Sequence, residues 1–202
     1  MLPSDHDAIR RFKDFGIFSG WLQITIPALL ATLLFSTPLY SQAEKQAVSE
    51  YQVKAAFLYN FSRFTKWPDE AAVATADFHL CVVGNDPFGE ALKTLAGKMV
   101  HGRPLIISRS VTGPLIEPCH MVFVSPSESA RTPELLAELR NKPALTVSDA
   151  EGFIAQGGMI QLKLADRKIR FEINIDAADR AELTISSKLL SLATIVHEKK
   201  TE

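Results

Sequence analysis

The sequence lacks the signatures of the familiar enzyme classes. No Gly-x-Ser-x-Gly, His-Glu-x-x-His, Cys-x-x-Cys or Gly-x-x-x-x-Gly-Lys pattern occurs in its 202 residues. Their absence argues against a hydrolase elbow, a zinc protease helix, a dithiol redox pair and a nucleotide cradle, respectively. Neither sign of charge dominates, because 22 Lys and Arg face 23 Asp and Glu for a formal net charge of -1. No global basic field recommends nucleic acid as a partner. Only two cysteines are present, Cys81 and Cys119, without the short spacing or the His-rich surroundings of a zinc site. Paired carboxylates for acid–base work cannot be picked out. No cofactor, metal or catalytic residue is assigned.

What is there begins with an export signal. Arg10, Arg11 and Lys13 precede an uncharged run from Phe15 to Ala43 whose apolar heart is Ile17 to Phe35. Ser41-Gln42-Ala43 then supplies the small-x-small site that signal peptidase requires. Residues 1–43 read as a cleaved signal peptide and 44–202 as one exported domain. The alternative is an uncleaved anchor, since about 20 apolar residues can span a bilayer. Pro27, Pro38 and the small-residue site favour cleavage. In an oxidising compartment Cys81 and Cys119 read as a disulfide, against the alternative of two buried thiols packing as small hydrophobes.

The mature chain is organised around Tyr51 to Pro68, YQVKAAFLYNFSRFTKWP. Val53, Phe57, Phe61 and Phe64 fall on one helical face, and a helix apolar on most sides is buried against a sheet. Ser49 and Gln52 match a capping box at its start, and Pro68 stops it. Phe78–Val83, Leu105–Ser108, Met121–Val124 and Ala144–Val147 read as strands. Between them lie expected helices at Phe88–Leu95 and Pro133–Arg140. This alternation predicts an α/β fold with a mostly parallel sheet flanked by helices. Met159–Leu164 and Ile169–Ile175 alternate around Asp166-Arg167 and predict a C-terminal antiparallel hairpin. Short and terminal helices are expected at Ala177–Leu183 and Ser186–His197.

Two features invite a functional reading. The turn Gly84-Asn85-Asp86-Pro87-Phe88-Gly89 resembles a phosphate loop, but Pro87 deletes an amide and a plain turn is favoured. On the strand near the C-terminus, Arg170, Glu172 and Asn174 share one face, opposite Phe171, Ile173 and Ile175. A cation, an anion and an amide in one row suit a polar ligand or a partner. The competing reading is a solvated face. His79 and His120 flank the cysteines and read as structural.

The ordered blocks AAFLYNFSRFTKWP, HLCVVGNDPFG, CHMVFVS and IRFEINIDAADRAELTISSKLLSLA resemble the YfiR family from about Tyr51 to Ala193. That resemblance implies a small periplasmic protein without enzymatic activity. It would repress a membrane-bound diguanylate cyclase by binding the cyclase's periplasmic domain, thereby controlling cyclic-di-GMP and biofilm formation. An OmpA-like outer-membrane lipoprotein would relieve the repression, and a homodimer is implied. The resemblance further implies that Cys81 and Cys119 are paired, and it points to Arg63, Lys66 and Arg170 for ligand or partner contact. A second cysteine pair found in some relatives is missing. The alternative function is a periplasmic small-ligand-binding sensory domain acting with another partner.

Overall fold

The computed structural model describes residues 40–68, 76–111 and 119–198. The apolar front run, with the choice between cleavage and anchoring, falls largely on residues 1–39 outside this set. Among the described residues no helix is long and apolar enough to cross a membrane.

Helix α1 spans Tyr40–Phe64. It starts upstream of the expected capping box, because Glu44 to Val48 contains strong helix formers and neither glycine nor proline. Its inward side is Ala55, Leu58 and Phe61, all buried, whereas Val53 is 43% exposed. The helix also ends before Pro68. Thr65–Lys66 leaves it as a short strand, β1.

Seven further strands follow in the main chain order: β2 Phe78–Val83, β3 Met99–Val100, β4 Arg103–Val111, β5 Met121–Val124, β6 Leu145–Ser148, β7 Ile160–Ala165 and β8 Lys168–Asn174. Two short ones complete the set, β9 Thr184–Ile185 and β10 Thr194–Val196. The eight-stranded sheet has the order β10-β8-β7-β6-β5-β2-β4-β3, and β1 pairs separately with β9. Strands β4, β2, β5, β6 and β7 run parallel. The β7–β8 hairpin is antiparallel, with Lys163 opposite Arg170 and Gln161 opposite Glu172. This is the mostly parallel α/β sheet with a C-terminal hairpin that the alternation predicts.

Alternation along the central strands divides two cores. Phe78, Leu80, Val82, Phe123, Val147 and Ile160 face the α1 side. Val83, Val122 and Val124 face α3, Thr132–Leu139, through Leu135, Leu136 and Leu139. Burial on both faces is why these strands read as continuous apolar runs. Gly84 sits at φ +85, and a Cβ there would stand 2.5 Å from Ser127 Oγ. The turn after β2 therefore requires glycine.

Three expected helices are corrected. The Phe88–Leu95 helix shrinks to α2, Glu90–Lys93. Asp86 Oδ1 accepts the Phe88 N–H at 2.8 Å, and Arg109 donates to Asp86 and to the Gly89 carbonyl, which fixes a turn where helix was expected. The Ala177–Leu183 helix lies slightly earlier, as α4 at Ile175–Arg180, because Asn174 Oδ1 accepts the Ala177 N–H as an N-cap. The Ser186–His197 helix becomes α5, Ser187–Leu190, followed by strand β10. Only Leu189 of its stripe is buried, and Leu192 is 74% exposed. The β-branched run Thr194-Ile195-Val196 instead pairs with Glu172-Ile173-Asn174 of β8, as its strand propensity favours.

Candidate functional site

The β8 row is built by the pleat. Phe171 and Ile173 are buried toward α1, where the Phe57 ring meets Phe171 at a tilt and the Phe61 ring edge-on, at centroid distances of 5.5 and 5.1 Å. Arg170, Glu172 and Asn174 consequently point to the other face. Arg170 is exposed. Glu172 is half-buried, and Lys163 Nζ lies 2.7 Å from its Oε1. Asn174 is buried, with its carbonyl capping α4 and its amide donating to Glu198 Oε1 at 3.3 Å. The accessible part of the row is therefore Arg170 and Glu172.

Arg63 and Lys66 lie at the exposed end of α1 and on β1. The Arg63 guanidinium and the Lys98 ammonium both lie over the Tyr59 ring, at 5.6 and 5.3 Å from its centroid. Such contacts hold the cations in place without neutralising them. Among the described residues no hydrogen bond or ring contact joins Arg63 or Lys66 to Arg170, and the pleat sends Arg170 away from the α1 face. These cations do not form one cluster.

Cys81 and Cys119 are bonded, with Cα atoms 5.9 Å apart. Beside the bond, His120 Nδ1 accepts the His79 N–H at 3.0 Å and its ring stacks on Phe78 at 4.9 Å. Its carbonyl accepts the Trp67 indole N–H at 3.1 Å, and Arg103 Nη1 stands 3.1 Å from its Nε2. His120, just before β5, thus joins β2, β4 and the segment after β1. Among the described residues no group of three or more His, Cys, Asp or Glu is placed to hold a metal ion.

Two charged constellations escaped the sequence. Lys54 is only 4% exposed, and its ammonium reaches Asp149 Oδ2 and Glu50 Oε1, each at 2.5 Å. The Tyr51 hydroxyl donates to the same Asp149 oxygen at 2.9 Å. Burial, and then the Asp149 charge, push the Tyr51 hydroxyl pKa up. The Glu50/Lys54 spacing was visible as a helical i,i+4 pair. Asp149, 95 residues further on, was not.

The second is at the C-terminus. Arg180 grips Glu198 with both terminal nitrogens, at 2.5 and 2.7 Å. This grip is the main reason the Glu198 pKa is lowered. The Glu198 N–H donates to Asp176 Oδ2 at 2.7 Å, which is the main cause lowering the Asp176 pKa, and His197 Nδ1 stands 3.1 Å from Asp176 Oδ1. Both groups are largely open to water, so these pairs order the tail more than they stabilise the domain.

These features define an α/β domain stapled by a disulfide, with exposed charged groups on β8 and at the end of α1. The chain belongs to the YfiR/HmsC-like family, whose model matches residues 51–194. It is also similar to the crystal structure of a conserved domain protein from Vibrio cholerae O1 biovar El Tor strain N16961. Identity there is 15% and the TM-score 0.47, over 59% of this chain and 54% of that one. The chain thus spans about half the length of that solved protein. Family membership supports a periplasmic regulatory role in cyclic-di-GMP signalling.

Proposed function

We propose that this protein is a periplasmic brake on an inner-membrane diguanylate cyclase. The observation that carries the reading is the family match over residues 51–194, which takes in α1 from Tyr51 onward and the β8 row. Export is completed by cleavage near Ala43, and the mature domain binds the cyclase's periplasmic domain in its inactive conformer. Binding shifts the cyclase population toward that conformer, and release restores synthesis. An OmpA-like outer-membrane lipoprotein sequesters the repressor, and the protein acts as a homodimer. Arg170 and Glu172 are the contact row, with Arg63 and Lys66 a second cationic surface. Asn174 supports the row from beneath by capping α4.

The test is intracellular cyclic-di-GMP in a deletion strain complemented with wild type or with Arg170→Glu. Deletion raises cyclic-di-GMP and biofilm, and wild type restores the low level. Arg170→Glu folds, because an exposed charge reversal seldom costs much stability, and fails to repress at equal periplasmic abundance. Unchanged cyclic-di-GMP on deletion removes the regulatory reading. Full repression by the variant removes only the chosen surface.

A further inference from the structure

A cleft of about 950 Å³ opens on the face of β7 and β8 turned away from α1. Arg140 and Arg180 bring positive charge to it, Gln161 and Asn174 bring amides, and Leu136 and Ile154 bring apolar wall. Gln161 and Asn174 are almost wholly buried, at 3% and 1% exposure. Charged forks, buried amides and an apolar wall converging on one volume are the usual makings of a small-molecule site.

One group already occupies the polar end. The Glu198 carboxylate receives both terminal nitrogens of Arg180, the Asn174 amide, and the longer-range attraction of Arg140. A guanidinium fork, an amide and a second cation form a complete receptor for one oxyanion. A single side-chain carboxylate fills a small part of such a cleft. Arg180 Nε is buried without a hydrogen-bond partner, so one donor of the guanidinium is left over once the terminal fork holds Glu198.

The segment that carries Glu198 is held by polar ties to Arg180, Asn174 and Asp176 more than by apolar packing. Strand β10 pairs with β8 over three residues, and Thr194 and Ile195 are exposed. Beside them Leu192 is 74% exposed, so few apolar contacts fix this part of the chain. Elements with few buried contacts open at low free-energy cost.

We propose that this cleft binds a small organic anion, with a carboxylate or phosphate beside an apolar body, and that Glu198 fills the anion position in cis until the ligand displaces it. Arg180 then transfers its fork from Glu198 to the ligand, and the apolar body rests on Leu136 and Ile154. β10 leaves the end of β8. A tethered carboxylate competes at an effective concentration of about millimolar, so the ligand opens the strand only where its apolar contacts and concentration together outweigh that internal competitor. The site is independent of the cyclase reading, since it is tested on the isolated protein.

The experiment titrates phenyl phosphate, benzoate and inorganic phosphate into wild type, Glu198→Gln and the double variant Arg180→Gln/Glu198→Gln by calorimetry. Glu198→Gln is expected to bind one phenyl anion about tenfold or more tighter than wild type, because the internal competitor is gone. The double variant is expected to lose that binding. Whichever of phenyl phosphate and benzoate binds tighter identifies the oxyanion. In wild type at saturating ligand, amide exchange at residues 194–198 is expected to speed up. Equal affinity for phenyl phosphate and inorganic phosphate means an adventitious ion only and overturns the proposal. So does failure of both phenyl anions to bind Glu198→Gln, or unchanged exchange at 194–198 in the liganded protein. If Glu198→Gln does not fold, Glu198→Asp, which withdraws the carboxylate by one methylene, is read by the same criteria.

Discussion

Lys54→Met tests whether the buried charge on α1 is worth what its surroundings imply. The methionine keeps most of the stem and deletes the ammonium. Asp149, with a side chain 5% exposed, then retains only the Tyr51 hydroxyl as donor to Oδ2, and its Oδ1 already lacks a partner. Removing one partner of a buried pair costs about 3–5 kcal/mol. For a domain of this size each kcal/mol moves the melting temperature by about 2–4 °C, so the variant should melt roughly 6–20 °C lower. Asp149→Asn should cost less, about 2 kcal/mol, because Lys54 keeps Glu50 at 2.5 Å and that carboxylate is more exposed. The double variant Lys54→Met/Asp149→Leu should recover much of the loss, since an apolar pair needs no desolvation. Urea unfolding of the mature domain at neutral pH gives all three values. A Lys54→Met loss below about 1 kcal/mol, the figure for an exposed pair, would refute burial of the ion pair. So would a larger loss in Asp149→Asn than in Lys54→Met.

Three further outcomes follow from the same structure. Thiol labelling of unfolded, unreduced protein should find no free cysteine; reduction should cost up to about 4 kcal/mol, the loop-closure value for a separation of 38 residues. Tyr51 has a raised pKa in the fold, so its contribution is complete below the unfolded value of about pH 10 and is lost as pH rises further. Tyr51→Phe should therefore flatten the alkaline decline in the melting temperature, and an unchanged decline would contradict the assignment. Asp176 and Glu198 have lowered pKa values, so their ties hold above the unfolded carboxylate range of about pH 4 and fail as pH falls below it. Amide exchange at residues 194–198, corrected for its intrinsic pH dependence, should lose protection in that acid range while β2 and β5 keep theirs.

How far the sequence revealed this molecule depended on whether the signal was local. Phe78–Val83 and Met121–Val124 were read to the residue, because strands buried on both faces are apolar throughout. The hairpin around Asp166-Arg167 was equally plain, since both residues take positive φ, 51 and 59, at a tight turn between alternating runs. The terminal helix failed for a tertiary reason. Leu189, Leu192, Ala193 and Val196 keep helical spacing, yet the decisive fact is the free edge of β8 waiting beside Thr194-Ile195-Val196. Ser49 failed similarly, as a good cap pattern inside a longer run of helix formers. Of the candidate site, Arg170 and Glu172 were placed by the pleat alone. The burial of Asn174, the Lys54–Asp149 pair and the Arg180–Glu198 grip all needed partners distant in sequence, which no local pattern encodes.

The short outer strands carry a consequence for solubility. The sheet ends in two-residue β3 on one side and three-residue β10 on the other, so an incoming chain finds few free amides and carbonyls to copy. Brief borders of this kind are how sheets resist growing into aggregates. Beneath β10 lies β8, seven residues long and alternately apolar, which is a far better template. Each departure of β10 would add Glu172, Ile173 and Asn174 to the edge of β8 that β10 already leaves uncovered. Loss of the Glu198 tether should therefore raise the tendency of the protein to self-associate at high concentration, even where the fold itself survives.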